Sequence, residues 1–300
     1  MTVQETQTSP PPPPAPLERR SIEVPTWQVW SVVAVALVAV SCGLILWAGT
    51  RPGYDPYGWL IWGHQTLHGT LNLGGAPSWK PLPWLFTVPY SLFGHYALWL
   101  WMVTAVTVSL AAAIFAGRIA YRLTGGGGYP AIVAAVFAGA AVLGIQDYMH
   151  YILSVQSDPM IVTFCLAAID CHLSRRPRWA FAFLVLASLG RPEAWPWLGC
   201  YALWAWRRVP SMRVMVGGGL ALVALLWFGV PTITNQRPLI AGQLAEASPR
   251  ELHQNKIVGT INRFAGLHYL PLELAALVAV AIAVYRRDRL VLLLAIAGAV

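Results

Sequence analysis

Val29 to Ala48 is a near-continuous apolar run of 20 residues without a charged side chain. That is about the length an α-helix needs to cross a hydrocarbon core of roughly 30 Å. Inside lipid every backbone N–H and C=O must find a partner within its own segment, so the run predicts a membrane-spanning helix. It is not isolated. Hydrophobic residues make up 57% of the chain, charged residues 11%, and the mean hydropathy is +0.57. A soluble chain carries about 25% charged residues, so a water-soluble fold of this size lacks the polar surface to cover its apolar side chains. Soluble enzyme, disordered chain and nucleic-acid binder are all excluded, although a pI of 9.6 points superficially toward the last. No nucleic-acid partner is expected. The net charge of +8 reads instead as arginine in the cytoplasmic loops of a membrane protein.

Residues 1–24 are polar and proline-rich, with Pro10 to Pro14 unbroken ahead of Glu18-Arg19-Arg20. Nothing in them can bury a core, and they are expected to form a disordered cytoplasmic tail. The long tail, and the lack of a small-residue cleavage motif after the first apolar run, favour a retained anchor over a signal peptide. Further apolar stretches fall at about 97–117, 129–146, 159–173, 179–190, 194–206, 214–232, 269–285 and 290–300. The expected fold is all-α and polytopic, with eight or nine transmembrane helices spread over residues 25–300. The 179–190 and 194–206 stretches are short for spans, which calls for tilt or a locally thinned bilayer. The last stretch meets the chain end without a polar tail, so a protein continuing beyond residue 300 is expected.

Sidedness follows from the basic residues. With the tail inside and the spans alternating, the cytoplasmic loops receive Arg19, Arg20, Arg118, Arg122, Arg175, Arg176, Arg178, Arg207, Arg208, Arg213, Arg286, Arg287 and Arg289. Arg51, Lys80, Arg191, Arg237, Arg250, Lys256 and Arg263 remain for the other side, and they are scattered. This matches the positive-inside rule, provided that residues 50–96 stay wholly extracytoplasmic. Asp170 and Asp288 then fall inside among arginines, as ordinary solvated partners. Asp55, Asp147, Asp158, Glu193, Glu246, Glu251 and Glu273 fall outside or at the outer boundary. A chain with so few acids has placed most of them at one face, where chemistry is expected.

The 50–96 loop carries two aromatic, amphipathic stretches. One begins at Tyr54-Asp55-Pro56-Tyr57-Gly58-Trp59-Leu60-Ile61-Trp62 and the other at Lys80-Pro81-Leu82-Pro83-Trp84. Trp and Tyr favour the headgroup level, so both stretches read as juxtamembrane helices with tryptophans in an aromatic belt. A belt does not account for Asp55, a carboxylate set among aromatics where desolvation penalises it.

Taken in order, these features resemble the GT-C superfamily of integral-membrane glycosyltransferases, which includes protein mannosyltransferases and lipid A aminoarabinose transferases. Members have a cytoplasmic N-terminus, one span, then a large external loop with an early acid and two juxtamembrane helices. A Lys/His-Pro-Pro-Leu-like element follows in that loop, here Lys80-Pro81-Leu82-Pro83. An external Asp opens a later span, matched by Ser157-Asp158-Pro159-Met160, and a basic residue before proline lies beyond it, matched by Gly190-Arg191-Pro192-Glu193. The resemblance covers roughly residues 29–300. It implies a donor sugar on a polyprenyl phosphate, an acceptor that is glycan, lipid or protein, and a cell-membrane enzyme whose site is extracytoplasmic. Asp55 is followed by Pro56 where many members carry a second acid. No residue is assigned to a metal, and divalent-metal dependence stays open.

The chemistry has its own logic. A polyprenyl phosphate is a fair leaving group, so the reaction needs a base for the acceptor hydroxyl and positive charge for the departing phosphate. Asp55 is the candidate base, Asp158 a possible second acid, and Lys80 and Arg191 the candidate phosphate contacts. A single displacement inverts the anomeric carbon, whereas retention by double displacement needs two close carboxylates. Two rivals stand beside this reading: a transporter, which wants ionisable groups deep within its spans, and a non-catalytic membrane scaffold.

Plainer readings compete at single positions. Asp158 after Ser157 reads equally as a helix cap, and Arg191 with Glu193 as a self-neutralising turn. Asp147 and His150 read as loop residues, and the basic residues of 233–268 as a solvated loop. Gly125 to Gly128 lacks the ending of a phosphate loop and reads as a connector. Cys42, Cys165, Cys171 and Cys200 read as buried small hydrophobes.

Overall fold

The computed structural model describes residues 26–76, 78–246, 255, 257–259, 262 and 270–299. The tail of residues 1–24 and the loop residues Arg250, Lys256 and Arg263 lie outside the described residues. Two units divide the chain after Ala36. The first contributes the start of α1 (Thr26–Ala48), where Ser31 Oγ donates to the Trp27 carbonyl at 3.0 Å. The contacts that follow lie within the second.

The described elements are all helical, as the apolar runs require. After α1 come α2 (Tyr54–Leu67) and α3 (Pro81–Tyr90), then the long α4 (Ala97–Leu123). Next are α5 (Gly128–Leu143), the single turn-and-a-half of α6 (Tyr148–Leu153), α7 (Asp158–Leu173), α8 (Pro177–Gly190) and α9 (Trp195–Arg208). A further helical path runs through α10 (Arg213–Ala224), a π-helical segment Leu225–Gly229 and α11 (Val230–Asn235). The remainder comprises α12 (Ile240–Glu246), α13 (Leu270–Arg286) and α14 (Arg289–Ala299). Among the described residues three stretches are long and apolar enough to cross a membrane: Trp27–Ala48, Pro81–Leu123 and Pro210–Asn235.

The middle one departs from expectation. Two short helices do form between residues 50 and 96, but the second continues through a 3-10 stretch, Ser91–Tyr96, into α4. Gly94, at φ 56° and ψ −122°, bends that path, a backbone setting that glycine tolerates and side chains resist.

The packing of α2 on α3 depends on another glycine. A Cβ at Gly63 would lie 2.6 Å from the carbonyl of Thr87, so only hydrogen fits there. Beside that contact the Thr87 hydroxyl donates to the Trp59 carbonyl at 2.8 Å. The tryptophans of this region are core residues, not a headgroup belt. Trp59, Trp62, Trp79 and Trp101 are all buried, and Trp59 meets Trp101 edge to face at 5.5 Å. Burial leaves each indole N–H in need of an acceptor. Trp59 donates to the Ser78 carbonyl at 2.8 Å and Trp62 to the Asn72 carbonyl at 3.0 Å. These two bonds fasten the 68–80 connection onto α2.

α4 packs along both α5 and α7. Against α5 the small residues interlock. A Cβ on Gly117 would come within 2.9 Å of the Ala135 carbonyl, and one on Gly139 within 3.0 Å of the Ala113 carbonyl. Close backbone approach of this kind is how apolar helices associate in a medium as apolar as they are. At its C-terminal end α7 carries Asp170, which is buried and not the solvated residue expected from sequence. It pairs with Arg118 at 3.2 Å and Arg122 at 3.5 Å, both from α4. The cysteines are less buried than expected as well, with Cys42, Cys165 and Cys171 half-buried and Cys200 exposed.

Candidate functional site

At the other end of α7 the charged residues singled out in the sequence come together. Each precedes a proline: Asp55-Pro56, Lys80-Pro81, Asp158-Pro159 and Arg191-Pro192. Proline is well placed in the first helical turn, where its missing N–H costs nothing, and it pushes the preceding residue toward extended backbone. Lys80 (φ −141°, ψ 118°) and Arg191 (φ −149°, ψ 133°) adopt that backbone and deliver the chain into α3 and into the turn before α9. Asp55 and Asp158 instead lie within the first turns of α2 and α7. A carboxylate there gains from the helix dipole.

Asp158 is the hub. Lys80 Nζ donates to its two carboxylate oxygens at 3.2 and 3.4 Å and to Ser157 Oγ at 3.2 Å. Arg191 Nε donates to the same carboxylate. Arg191 also pairs with the exposed Glu193 at 3.6 Å, so the Arg191–Glu193 turn exists but is the looser of its two contacts. The helix-cap reading of this segment fails. Ser157 makes no side-chain capping bond, and the Asp158 carboxylate is committed to the two cations.

Lys80 is nearly buried, its side chain 12% exposed, with its ammonium 5.4 Å from the centre of the Trp59 ring. Burial pulls its pKa below the ordinary value, and the Arg191 charge adds to this against the opposing pull of Asp158. For Asp158 burial pushes the pKa up, yet the Arg191 hydrogen bond and the Lys80 charge outweigh it and hold the carboxyl below its usual range. Burial opposes the charge on Arg191 too, and Asp158 more than compensates, raising its pKa.

Asp55 stands apart from this lattice. It is half-buried, and it makes no hydrogen bond or ion pair among the described residues. Its charge nevertheless acts on both Lys80 and Arg191, whereas Arg51, four residues before it, forms no ion pair with it. The neighbouring backbone is anchored to the connection between α6 and α7, with Gly53 N–H donating to the Ser154 carbonyl at 2.9 Å. The site therefore holds two cations fixed by one carboxylate, and a second carboxylate beside them with its oxygens uncommitted. Such a set can bind an anionic group and accept a proton next to it.

Sequence reasoning brought Asp55, Lys80, Asp158 and Arg191 into the argument and missed Trp59 and Ser157 as contacts of Lys80. Both lie inside motifs quoted above; the sequence places Trp59 in a belt and gives Ser157 no role of its own beside Asp158. Asp147 and His150 do not join the site. Asp147 has left-handed backbone (φ 60°) and no side-chain capping bond, and the His150 ring packs near Tyr151. Among the described residues no three His, Cys, Asp or Glu side chains gather into a metal-binding group. Compared with protein-family models, curated proteins and solved structures, the chain matches none.

Proposed function

We propose that this chain is an inverting glycosyltransferase that moves a sugar from a polyprenyl phosphate to an acceptor hydroxyl at the outer face of the cell membrane. The observation that carries the reading is the convergence of Asp55, Lys80, Asp158 and Arg191, from four separate segments, on the start of α7. The reading includes a cytoplasmic N-terminus and eight or nine spans, with α2 and α3 lying beside the membrane. Helices of 14 to 16 residues such as α7, α8 and α9 are only about 21–24 Å long at 1.5 Å per residue. They reach across the bilayer if it thins around the site.

In this mechanism Asp55 takes the acceptor proton as the hydroxyl oxygen attacks the anomeric carbon. The bond from that carbon to the carrier phosphate breaks, and the electron pair leaves with the phosphate oxygen. Lys80 and Arg191 receive the phosphate as its charge grows. Asp158, expected only as a possible second acid, acts as the counter-ion that holds both cations in place before substrate arrives. Preorganised charge of this sort is where much of the barrier reduction in transfer reactions originates. A single attacking base beside a cation pair suits one displacement, hence inversion.

Turnover of a radiolabelled polyprenyl-phosphate sugar in proteoliposomes is the test. Carrier consumption by the wild-type chain that falls at least about a hundredfold in Asp55→Asn, the usual effect of losing a general base, supports the reading. Solute movement without carrier consumption makes the chain a transporter, and neither activity makes it a scaffold. Either result overturns the proposal.

A further inference from the structure

We infer that the groove along α4 and α5 is a second binding site, for an anionic phospholipid whose phosphate is held by Arg118 and Arg122. The groove has a volume of about 770 Å³ and runs along the seam of the two helices. Its walls are apolar, formed by residues such as Ala113, Gly117, Val136 and Gly139, and Arg118, Tyr121 and Arg122 stand toward the C-terminal end of α4. The glycines that let the helices approach also remove side chains from the groove floor, leaving a shallow channel. On the α5 wall Val136 is 67% exposed beside Ala135, Ala140 and Leu143, a surface that water solvates poorly and an acyl chain covers well.

The polar end is built, not incidental. Arg118 and Arg122 are one helical turn apart on α4, so both guanidinium groups reach the same neighbour. That neighbour is Asp170, with a side chain only 4% exposed. Arg122 Nη1 donates as well to the Asp170 carbonyl at 3.4 Å and to Ser174 Oγ. One carboxylate binds both guanidinium groups, and Arg175, Arg176 and Arg178 follow it closely in the chain. Each arginine keeps about a third of its side chain exposed, 37% and 34%. Two guanidinium groups held side by side suit a phosphate diester, and the ordering they need is already in place. An anionic lipid satisfies both halves of the groove at once, with headgroup on the arginines and tail along Val136. Free phosphate satisfies only the first.

The test is native mass spectrometry of the full chain in detergent, titrated with phosphatidylglycerol and with phosphatidylcholine of identical acyl chains. With two arginines at the headgroup, the wild type should retain phosphatidylglycerol about tenfold or more in preference. The triple variant Arg118→Gln/Arg122→Gln/Asp170→Asn removes the cations without stranding the buried acid, and should lose that preference. Val136→Trp fills the channel from its exposed side, away from the Gly117 and Gly139 contacts, and should weaken retention of both lipids. Equal retention of the two lipids by the wild type overturns the inference. So does unchanged retention by Val136→Trp, which decides the matter if the triple variant fails to fold. Displacement of phosphatidylglycerol by millimolar inorganic phosphate alone would reduce the site to a phosphate site and overturn the lipid assignment.

Discussion

The ammonium of Lys80 sits 3.2 Å from a carboxylate oxygen of Asp158, a residue 78 positions away in the chain. Because Arg191 binds the same carboxylate, Asp158 is spent on holding cations, whereas Asp55, the proposed base, has no ion pair among the described residues. The two carboxylates should therefore fail in different ways.

Asp55→Asn is expected to fold and melt like the wild type, since the side chain it alters has no hydrogen bond or ion pair among the described residues. Its transfer rate should drop at least about a hundredfold, because the amide cannot accept the proton. Asp158→Asn should instead lose stability, by about 1–3 kcal/mol, as the nearly buried Lys80 is left without its counter-ion. Thermal unfolding in detergent, run beside the turnover assay, separates the two. Matching melting losses in both variants would end the division of roles.

Acid should act through the same pair. Asp158 has its folded pKa held below the ordinary 3.8. For a depressed carboxyl the stabilisation is fully present above the unfolded value and is lost as pH falls through the folded one. Lys80 is a cation whose pKa is lowered from 10.5, so between its folded value and 10.5 the unfolded chain binds more protons. Stability from this group rises with pH across that window and is level above it. Unfolding midpoints should thus decline below about pH 4 in the wild type and less so in Asp158→Asn. An alkaline rise present in the wild type should vanish in Lys80→Met. An acid limb that is identical in wild type and Asp158→Asn contradicts the assignment.

The Arg118–Asp170–Arg122 cluster predicts an order of stabilities. Removing both arginines strands a carboxylate that is 4% exposed, and loss of the partners of a buried charge costs about 3–5 kcal/mol. Asp170→Asn alone leaves arginines that are about one-third exposed, which water can rescue, so it should cost less. Adding Asp170→Asn to the double arginine variant should raise its unfolding midpoint. A triple variant less stable than the double one would show that Asp170 is not held by its charge.

Much of the architecture was legible because bilayer physics writes it into long apolar runs. The stretches 97–117, 159–173 and 179–190 lie within α4, α7 and α8. The helical continuity of Pro81–Leu123 was not legible, because Ser91, Gly94 and His95 read as a loop and a single glycine conformation decides the matter. The site residues were legible as charged residues expected at one face, each before a proline. That signal marks helix starts as much as chemistry, for Arg176-Pro177 opens α8 by the same device. Which of them pair was not legible. The partners of Asp158 are 78 and 33 residues away, and no local pattern encodes a contact that depends on how α3, α7 and α8 pack. Trp59 misled for a related reason. A tryptophan near a predicted span end suits the headgroup level, and only the approach of α3 and α4 buries this one.

That approach supplies the last prediction. Asp55 lies in the first turn of α2 and Lys80 immediately precedes α3, so the spacing of these two helices sets where the proposed base stands relative to its cation. Gly63 fixes the spacing, because any Cβ there would lie 2.6 Å from the Thr87 carbonyl and 2.9 Å from Ser91 Oγ. Backbone cannot yield as a flexible side chain can, so Gly63→Val must push α2 away from α3. Overpacking of this kind typically costs about 1–3 kcal/mol. A shift of ~1 Å between reacting groups typically costs about a hundredfold in rate. Gly63→Val is therefore expected to melt earlier and to lose turnover by about that factor, although it touches none of the charged residues. Gly199→Ala is the control: a Cβ there meets nothing within 4 Å and the position is inside α9, so it should leave turnover unchanged and melting no lower, since Ala favours the helix over Gly. Wild-type melting and turnover in Gly63→Val would show that the α2–α3 contact does not position the site.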